Sequence, residues 1–385
     1  MNCAFLGTGY VAEFYARTLP NHPELKLVGA FDRNGDNLKA FIRRWPVKAF
    51  ASLGDLLADP SVELVVNLTN PRSHFETTRA CLEAGKHVYS EKPLAMDSAR
   101  AAELVDLARQ RGLRLASAPC SVLSPTAQTL AKALRAGGIG KVRLVYANFD
   151  DGMIAPQMSP WNWRNEAGVP WPARDEFEVG CTYEHAGYVL TWLAAFFGPA
   201  KGVTAFASCL IPHKGIPVER MAPDFTVGCL EYADGVVARV TCSLVAPKDK
   251  SLTIIGDKGV LTVANVRNDA CPVWLRPLPA PGRRAGIERR VNRLRRLLRL
   301  PHAEAEWHYR RRLPLVGRAP REVVSPDKPV DFCRGPAELA ASIREQRPCR
   351  LSAELGLHLV ELIETLQYPG RFGHRREIAS TFPPV

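Results

Sequence analysis

The chain has 385 residues, 46% of them hydrophobic and 23% charged, with a formal charge of +12. That length exceeds a typical single core, so two domains are expected, and the composition excludes a disordered, collagen-like or coiled-coil chain. The basicity is local: residues 283–321 hold 13 Arg, no Lys, 3 Glu and no Asp, which argues against a nucleic-acid-binding fold. No apolar run reaches the roughly 18 residues that span a bilayer. No basic and apolar leader with a small-residue cleavage site opens the sequence, which points to the cytoplasm. The ten cysteines include no CxxC pair and no Cys/His cluster of zinc spacing. Free thiols in a reducing compartment and no metal site are therefore expected.

In chain order, residues 2–6 form a short apolar run suited to a buried parallel strand. Gly7, Thr8, Gly9, Tyr10, Val11 and Ala12 follow as GxGxxA. Val11, Phe14, Tyr15 and Leu19 then repeat at helical period, and a second apolar run, 25–31, ends at Asp32. Each part has a physical use. Gly7 permits the tight turn, Gly9 lets the backbone approach a pyrophosphate, and Ala12 allows close helix–strand packing. The helix N-terminus offers free N–H groups to phosphate. Asp32 can accept from ribose hydroxyls and repels a 2′-phosphate, so NAD is favoured; the neighbouring Arg33 keeps NADP open. Strand-like runs at 64–68, 87–89 and 113–117 alternate with helices near 72–84 and 97–111, the pattern of a doubly wound parallel sheet. Ligands of such sheets bind beyond the carboxyl ends of the strands. Thr69, Asn70, His74, Glu91 and Lys92 lie there.

From Val142 the pattern changes. Strand-like runs at 142–148, 203–210, 226–232, 236–244, 252–255 and 260–263 predict an α+β unit with an open, mostly antiparallel sheet. Asp234-Gly235 is a hairpin signal. One helix, 181–197, interrupts the strands, and two amphipathic helices, 336–346 and 352–367, close the chain. Within the basic insert 283–321, the stretch 286–300 reads as an amphipathic helix. Ile287, Val291, Leu294, Leu297 and Leu298 lie on one side and arginines mostly on the other. Its bland reading is a solvated helix packed on the sheet or on a second subunit. Its sharper one is peripheral contact with an anionic membrane.

The whole order resembles the glucose–fructose oxidoreductase and inositol dehydrogenase (Gfo/Idh/MocA) family. The resemblance rests on Gly7–Ala12, on Thr69-Asn70-Pro71-Arg72-Ser73-His74, and on Ala84–Val88 leading into Glu91-Lys92-Pro93. It implies an α/β Rossmann-fold N-terminal domain (1–122) and an α+β domain (123–385) for substrate and oligomer contacts. It also implies an NAD(P)-dependent oxidoreductase acting on a sugar, cyclitol or nucleotide sugar, commonly as a homo-oligomer. By resemblance, Lys92 sits beside the nicotinamide and His185 is the acid/base. Chemistry agrees, since oxidising a secondary alcohol leaves a proton that an imidazole can take and a charge that an ammonium stabilises. Trp163 and Arg164, which match a Trp-Arg pair of the family, are candidates to stack on and grip the substrate.

The departures from the family pattern bear on substrate and competence. Cys181 stands where the family has an aspartate four residues before the histidine, in Cys181-Thr182-Tyr183-Glu184-His185. Cys181 and Tyr183 are therefore candidate substrate contacts. Glu178, on the same helical face as His185 if the helix begins by Glu178, is a candidate replacement carboxylate; its bland reading is an N-terminal carboxylate favoured by the helix dipole. The leading expectation is interconversion of a ring hydroxyl and a ketone. Two alternatives are a redox-neutral, NAD-assisted cleavage or elimination, and a non-catalytic dinucleotide-binding sensor or scaffold.

Overall fold

The computed structural model describes residues 1–154, 162–278, 283–300 and 310–383. The first unit is a six-stranded parallel sheet of β1 (Asn2–Leu6), β2 (Lys26–Phe31), β3 (Lys48–Ala49), β4 (Leu64–Asn67), β5 (His87–Ser90) and β6 (Leu115–Ser117). Its order, β3-β2-β1-β4-β5-β6, is that of the Rossmann dinucleotide fold, with its switch point between β1 and β4. Cys3 to Leu6 and the whole of β4 are buried, because helices cover both faces. These are α1 (Ala12–Thr18), α2 (Gly35–Arg44), α3 (Leu53–Ala58), α4 (His74–Glu83) and α5 (Ser98–Gln110). Asn34, Ser52 and Asp97 cap α2, α3 and α5 by accepting first-turn N–H bonds, as their short polar side chains favour.

After α6 (Pro125–Arg135) comes a nine-stranded sheet of β7 (Val142–Asp150), β8 (Gly202–Ser208), β9 (Phe225–Glu231), β10 (Val237–Ser243), β11 (Leu252–Gly256), β12 (Gly259–Val263), β13 (Val273–Pro277), β14 (Arg311–Arg312) and β15 (Arg376–Glu377). Its order is β14-β13-β12-β11-β7-β10-β9-β8-β15. Every neighbour is antiparallel except β7 with β10. The Asp234-Gly235 turn has both residues at positive φ, 60° and 74°, as a tight hairpin needs. One face of this sheet packs on α8 (Gly187–Phe197) and α11 (Ala353–Gln367). On the other face a row of Thr204, Cys229, Arg239 and Tyr146 runs across β8, β9, β10 and β7.

Two features depart from the sequence reading. The helix expected over 181–197 opens with a π-helical turn at Thr182–Ala186 before α8, and a separate helix α7 (Ala173–Val179) precedes it. Gly180 at φ 97° ends α7. The C-terminal helices α10 (Arg334–Arg344) and α11 return to the first unit, where Ser352 bridges Ala116 of β6. The insert forms α9 (Arg283–Leu297). Its Leu294, Leu297 and Leu298 are 59%, 75% and 61% exposed, so this chain does not bury its apolar side. No helix among the described residues is long and apolar enough to cross a membrane.

Candidate active site

A cleft of about 1010 Å³ opens where the carboxyl ends of β1, β4 and β5 face the second unit. The glycine turn forms one end. Gly7 is at φ 98°, and a Cβ there would lie 2.7 Å from the Leu68 carbonyl oxygen, so neither the conformation nor the space admits a side chain. Gly9 faces open space where a side chain would project into the cleft. Tyr10 and Val11 also line the cleft, and Asn34 and Asn37 extend it. Asp32 braces the turn: Oδ2 accepts from Thr8 N (2.7 Å) and Thr8 Oγ1 (3.0 Å), and Oδ1 accepts from Asn34 N. This bare glycine cradle, opening α1 and backed by a carboxylate, fits a dinucleotide. Arg33 is exposed and does not line the cleft.

The turns after β4 and β5 form the floor. Asn67 Oδ1 holds Thr69 through its N–H and hydroxyl. Buried His74 spans the two turns, with Nδ1 2.6 Å from Pro93 O and Nε2 2.8 Å from Thr69 O. Burial lowers its pKa, while the two carbonyl acceptors pull the other way. Glu91 accepts from Tyr15 Oη (2.6 Å) and from Lys92 N (3.0 Å). Lys92 reaches into the cleft and pairs with Glu184. Burial disfavours the Lys92 charge, but Glu184 and other nearby anionic groups outweigh it and hold the pKa above the ordinary lysine range. Lys92 is therefore an ammonium.

The π-helical turn supplies the opposite wall. By widening the helix it leaves both Glu184 and His185 on the cleft, the kind of use made of such turns at functional sites. His185 stacks on Phe149, with centroids 5.2 Å apart. Its Nε2 lies 3.0 Å from Glu176 Oε1 and 3.5 Å from Asp151 Oδ2. Glu178 is not the replacement carboxylate. It pairs with Arg72 and Arg174 at 2.8 and 2.9 Å, because Gly180 breaks the helix that would have aligned it with His185. Glu176, two residues earlier on α7, is the carboxylate that stands beside His185.

Cys181 and Tyr183 are also not substrate contacts. Both are fully buried. Cys181 Sγ points to Cys242 O at 3.5 Å, and Tyr183 Oη donates to Met96 O at 2.8 Å. Trp163 and Arg164 do line the cleft. Trp163 packs on Trp171, while Arg164 donates to Gly168 O. Asn165 Nδ2 donates to Tyr10 O at 3.1 Å, and Glu166 pairs with Arg17 and Arg44. This segment is therefore strapped across the glycine turn. Trp161 lies outside the described residues. Sequence reasoning missed Glu176, Glu184, Asp151 and Tyr188. Only Glu184 carried a signal, its place beside His185.

Comparison with known proteins agrees with this geometry. Residues 1–118 match the model of the oxidoreductase family with an NAD-binding Rossmann fold, and residues 127–262 match the GFO/IDH/MocA C-terminal domain. The chain belongs to the GFO/IDH/MocA family. It is an NAD-binding oxidoreductase with the two-part fold of that family. Trans-1,2-dihydrobenzene-1,2-diol dehydrogenase of Sus scrofa is 28% identical over 260 residues, 67% of this chain and 70% of the relative. Among solved structures, levoglucosan dehydrogenase in complex with NADH and levoglucosan superposes with a TM-score of 0.77 at 16% identity, covering 99% of this chain and all of that one. The WlbA dehydrogenase of Bordetella pertussis, in complex with NADH and UDP-GlcNAcA, gives 0.70 at 19% identity, covering 98% of each chain. At those identities the likeness is one of fold.

Proposed function

We propose that the cleft interconverts a ring hydroxyl and a ketone on a sugar-like substrate, with Lys92 and His185 as its working groups. The observation that carries this reading is their convergence. Lys92 from the first unit and His185 from the second meet in one cleft, each held by its own carboxylate, Glu184 and Glu176. NAD held along the glycine turn would supply the hydride acceptor in the oxidising direction. His185, whose Nε2 lies 3.0 Å from Glu176, takes the hydroxyl proton. The Lys92 ammonium stabilises the charge that grows on the substrate oxygen. Thr69, Asn70 and the glycine turn hold the cofactor, and Trp163 offers an indole face to an apolar sugar face. The sugar and nucleotide-sugar ligands of the structural neighbours support this substrate class.

Lys92→Ala is expected to lower kcat by about 100-fold or more, the scale of losing one group that stabilises a developing oxyanion. NADH should still bind within about twofold of wild type, because that contact is not shared with the glycine cradle. Steady-state NADH formation together with fluorescence titration of NADH checks this, and full activity in the variant sinks the mechanism.

The same reading includes a homo-oligomer and an in-plane contact of α9 with anionic lipid, which its exposed leucines and its arginines favour. Sedimentation velocity tests the first. Flotation of the protein with phosphatidylserine vesicles, compared with phosphatidylcholine vesicles, tests the second.

A further inference from the structure

The wall of the cleft around His185 carries a cluster of cations. Lys248, Lys250, Arg267 and Lys328 all line it. Lys250 is buried, lies over the Phe149 ring at 4.8 Å, and pairs with Asp151. Asp151 is already shared with His185. Arg267 lies over the ring of Tyr188 at 4.5 Å, and Tyr188 in turn stacks on Phe149 at 5.1 Å. The Arg267 guanidinium donates no hydrogen bond to any described residue, and Lys248 and Lys328 form no ion pair with one. Among the described residues the one ion pair in this group is Lys250 with Asp151; Glu91 and Glu176 favour the Arg267 charge without pairing with it, and Arg267 is among the charges that disfavour the ammonium forms of Lys250 and Lys328. Arg267 is half-buried and presents its guanidinium to the cleft. Its planar fork of donors suits a carboxylate or a phosphate.

The cofactor pyrophosphate is the competing explanation for this charge. The glycine turn already supplies backbone donors for that group. Arg267 and Lys250 are instead joined through Tyr188, Phe149 and Asp151 to the histidine that handles the substrate proton.

We propose that this wall binds an acid group on the substrate, so that the enzyme acts on an anionic sugar-like molecule, with Arg267 as the principal ligand of the acid. The inference rests on the oxidoreductase reading of the same cleft. Lys250 holds Asp151 beside His185, while Lys248 and Lys328, exposed at the mouth, attract the anion from solution. A sugar carboxylate and a sugar phosphate share this chemistry, and the probes below separate them.

The experiment is calorimetric titration of the NADH-loaded protein with glucose, glucuronate and glucose 6-phosphate. One of the two acids is expected to bind at least about tenfold more tightly than glucose, the ratio that one charge-assisted hydrogen bond supplies. Whichever acid wins names the group. Arg267→Gln should remove most of that advantage while NADH affinity stays within about twofold. Lys248→Gln combined with Lys328→Gln, on two exposed side chains that leave the core intact, should weaken the acid in low salt and lose that effect in high salt. Equal binding of acids and glucose overturns the proposal. So does an Arg267→Gln variant that loses NADH rather than the acid, which would assign the cations to the cofactor. Failure of the wild-type protein to bind NADH at all would instead strike the oxidoreductase reading itself.

Discussion

At the residue scale, the site is a set of charges whose partners decide their state. Lys92 is locked as an ammonium by Glu184, whereas Lys250 is poised: burial and Arg267 lower its pKa to about 8 against the pull of Asp151. The groups facing it are Asp151, Arg267 and Lys248, with His185 reached through Asp151. Lys250 is charged below that value and neutral above it. The KM for an acidic substrate should therefore rise as pH climbs past about 8, and Lys250→Met should flatten that rise. KM measured across this range in both proteins checks it, and identical profiles count against Lys250. Lys92, His185, Thr69, Asn70 and His74 were legible because their neighbours in sequence form short motifs. Glu176, Asp151 and Arg267 were not, because what makes them matter is their distance from His185, and nothing local encodes that.

At the element scale, two backbone features decide what enters the cleft. The glycine turn was readable, since GxGxxA has one structural use between a strand and a helix. The π-helical turn was not, because a helix wheel drawn through 178–185 assumes the single axis that Gly180 interrupts. That assumption is why Glu178 was aligned with His185. Gly7→Ala should cost about 2–3 kcal/mol, from overpacking against Leu68 and a strained positive φ. It should also abolish NADH binding, as urea denaturation and NADH titration would show. The arginine-rich helix α9 gives the opposite expectation. Its leucines bury little against their own chain, so changing Leu294, Leu297 and Leu298 together to Gln should shift monomer stability by no more than about 0.5 kcal/mol per site. A large loss in the urea midpoint would show that these leucines are covered in solution.

At the scale of the whole molecule, the alternation of strand and helix up to Ser117 and the strand-rich stretch after Val142 were plain from hydrophobic period. The return of α10 and α11 to the first unit was not, because a helix facing a distant sheet looks like any other amphipathic helix. That return buries His358 of α11. Its Nε2 accepts from Ala200 N at 3.1 Å and its Nδ1 lies 3.1 Å from Ser380 O, an arrangement for a neutral ring. Burial lowers its pKa to about 4, below the ordinary value of about 6.5. Between those two values the unfolded chain binds more protons than the folded one. Stability should thus fall as pH drops through that window, by about 3 kcal/mol in all, and His358→Gln should lose this contribution. Urea midpoints at several pH values test it. The strap from Asn165 and Glu166 to Tyr10, Arg17 and Arg44 acts on time rather than on energy. A dinucleotide seated beneath it can leave only after those contacts part, while the substrate wall around Arg267 carries no such fastening. Ordered turnover is the expectation, with the dinucleotide entering first and departing last, and product-inhibition patterns at varied NAD and varied substrate check it.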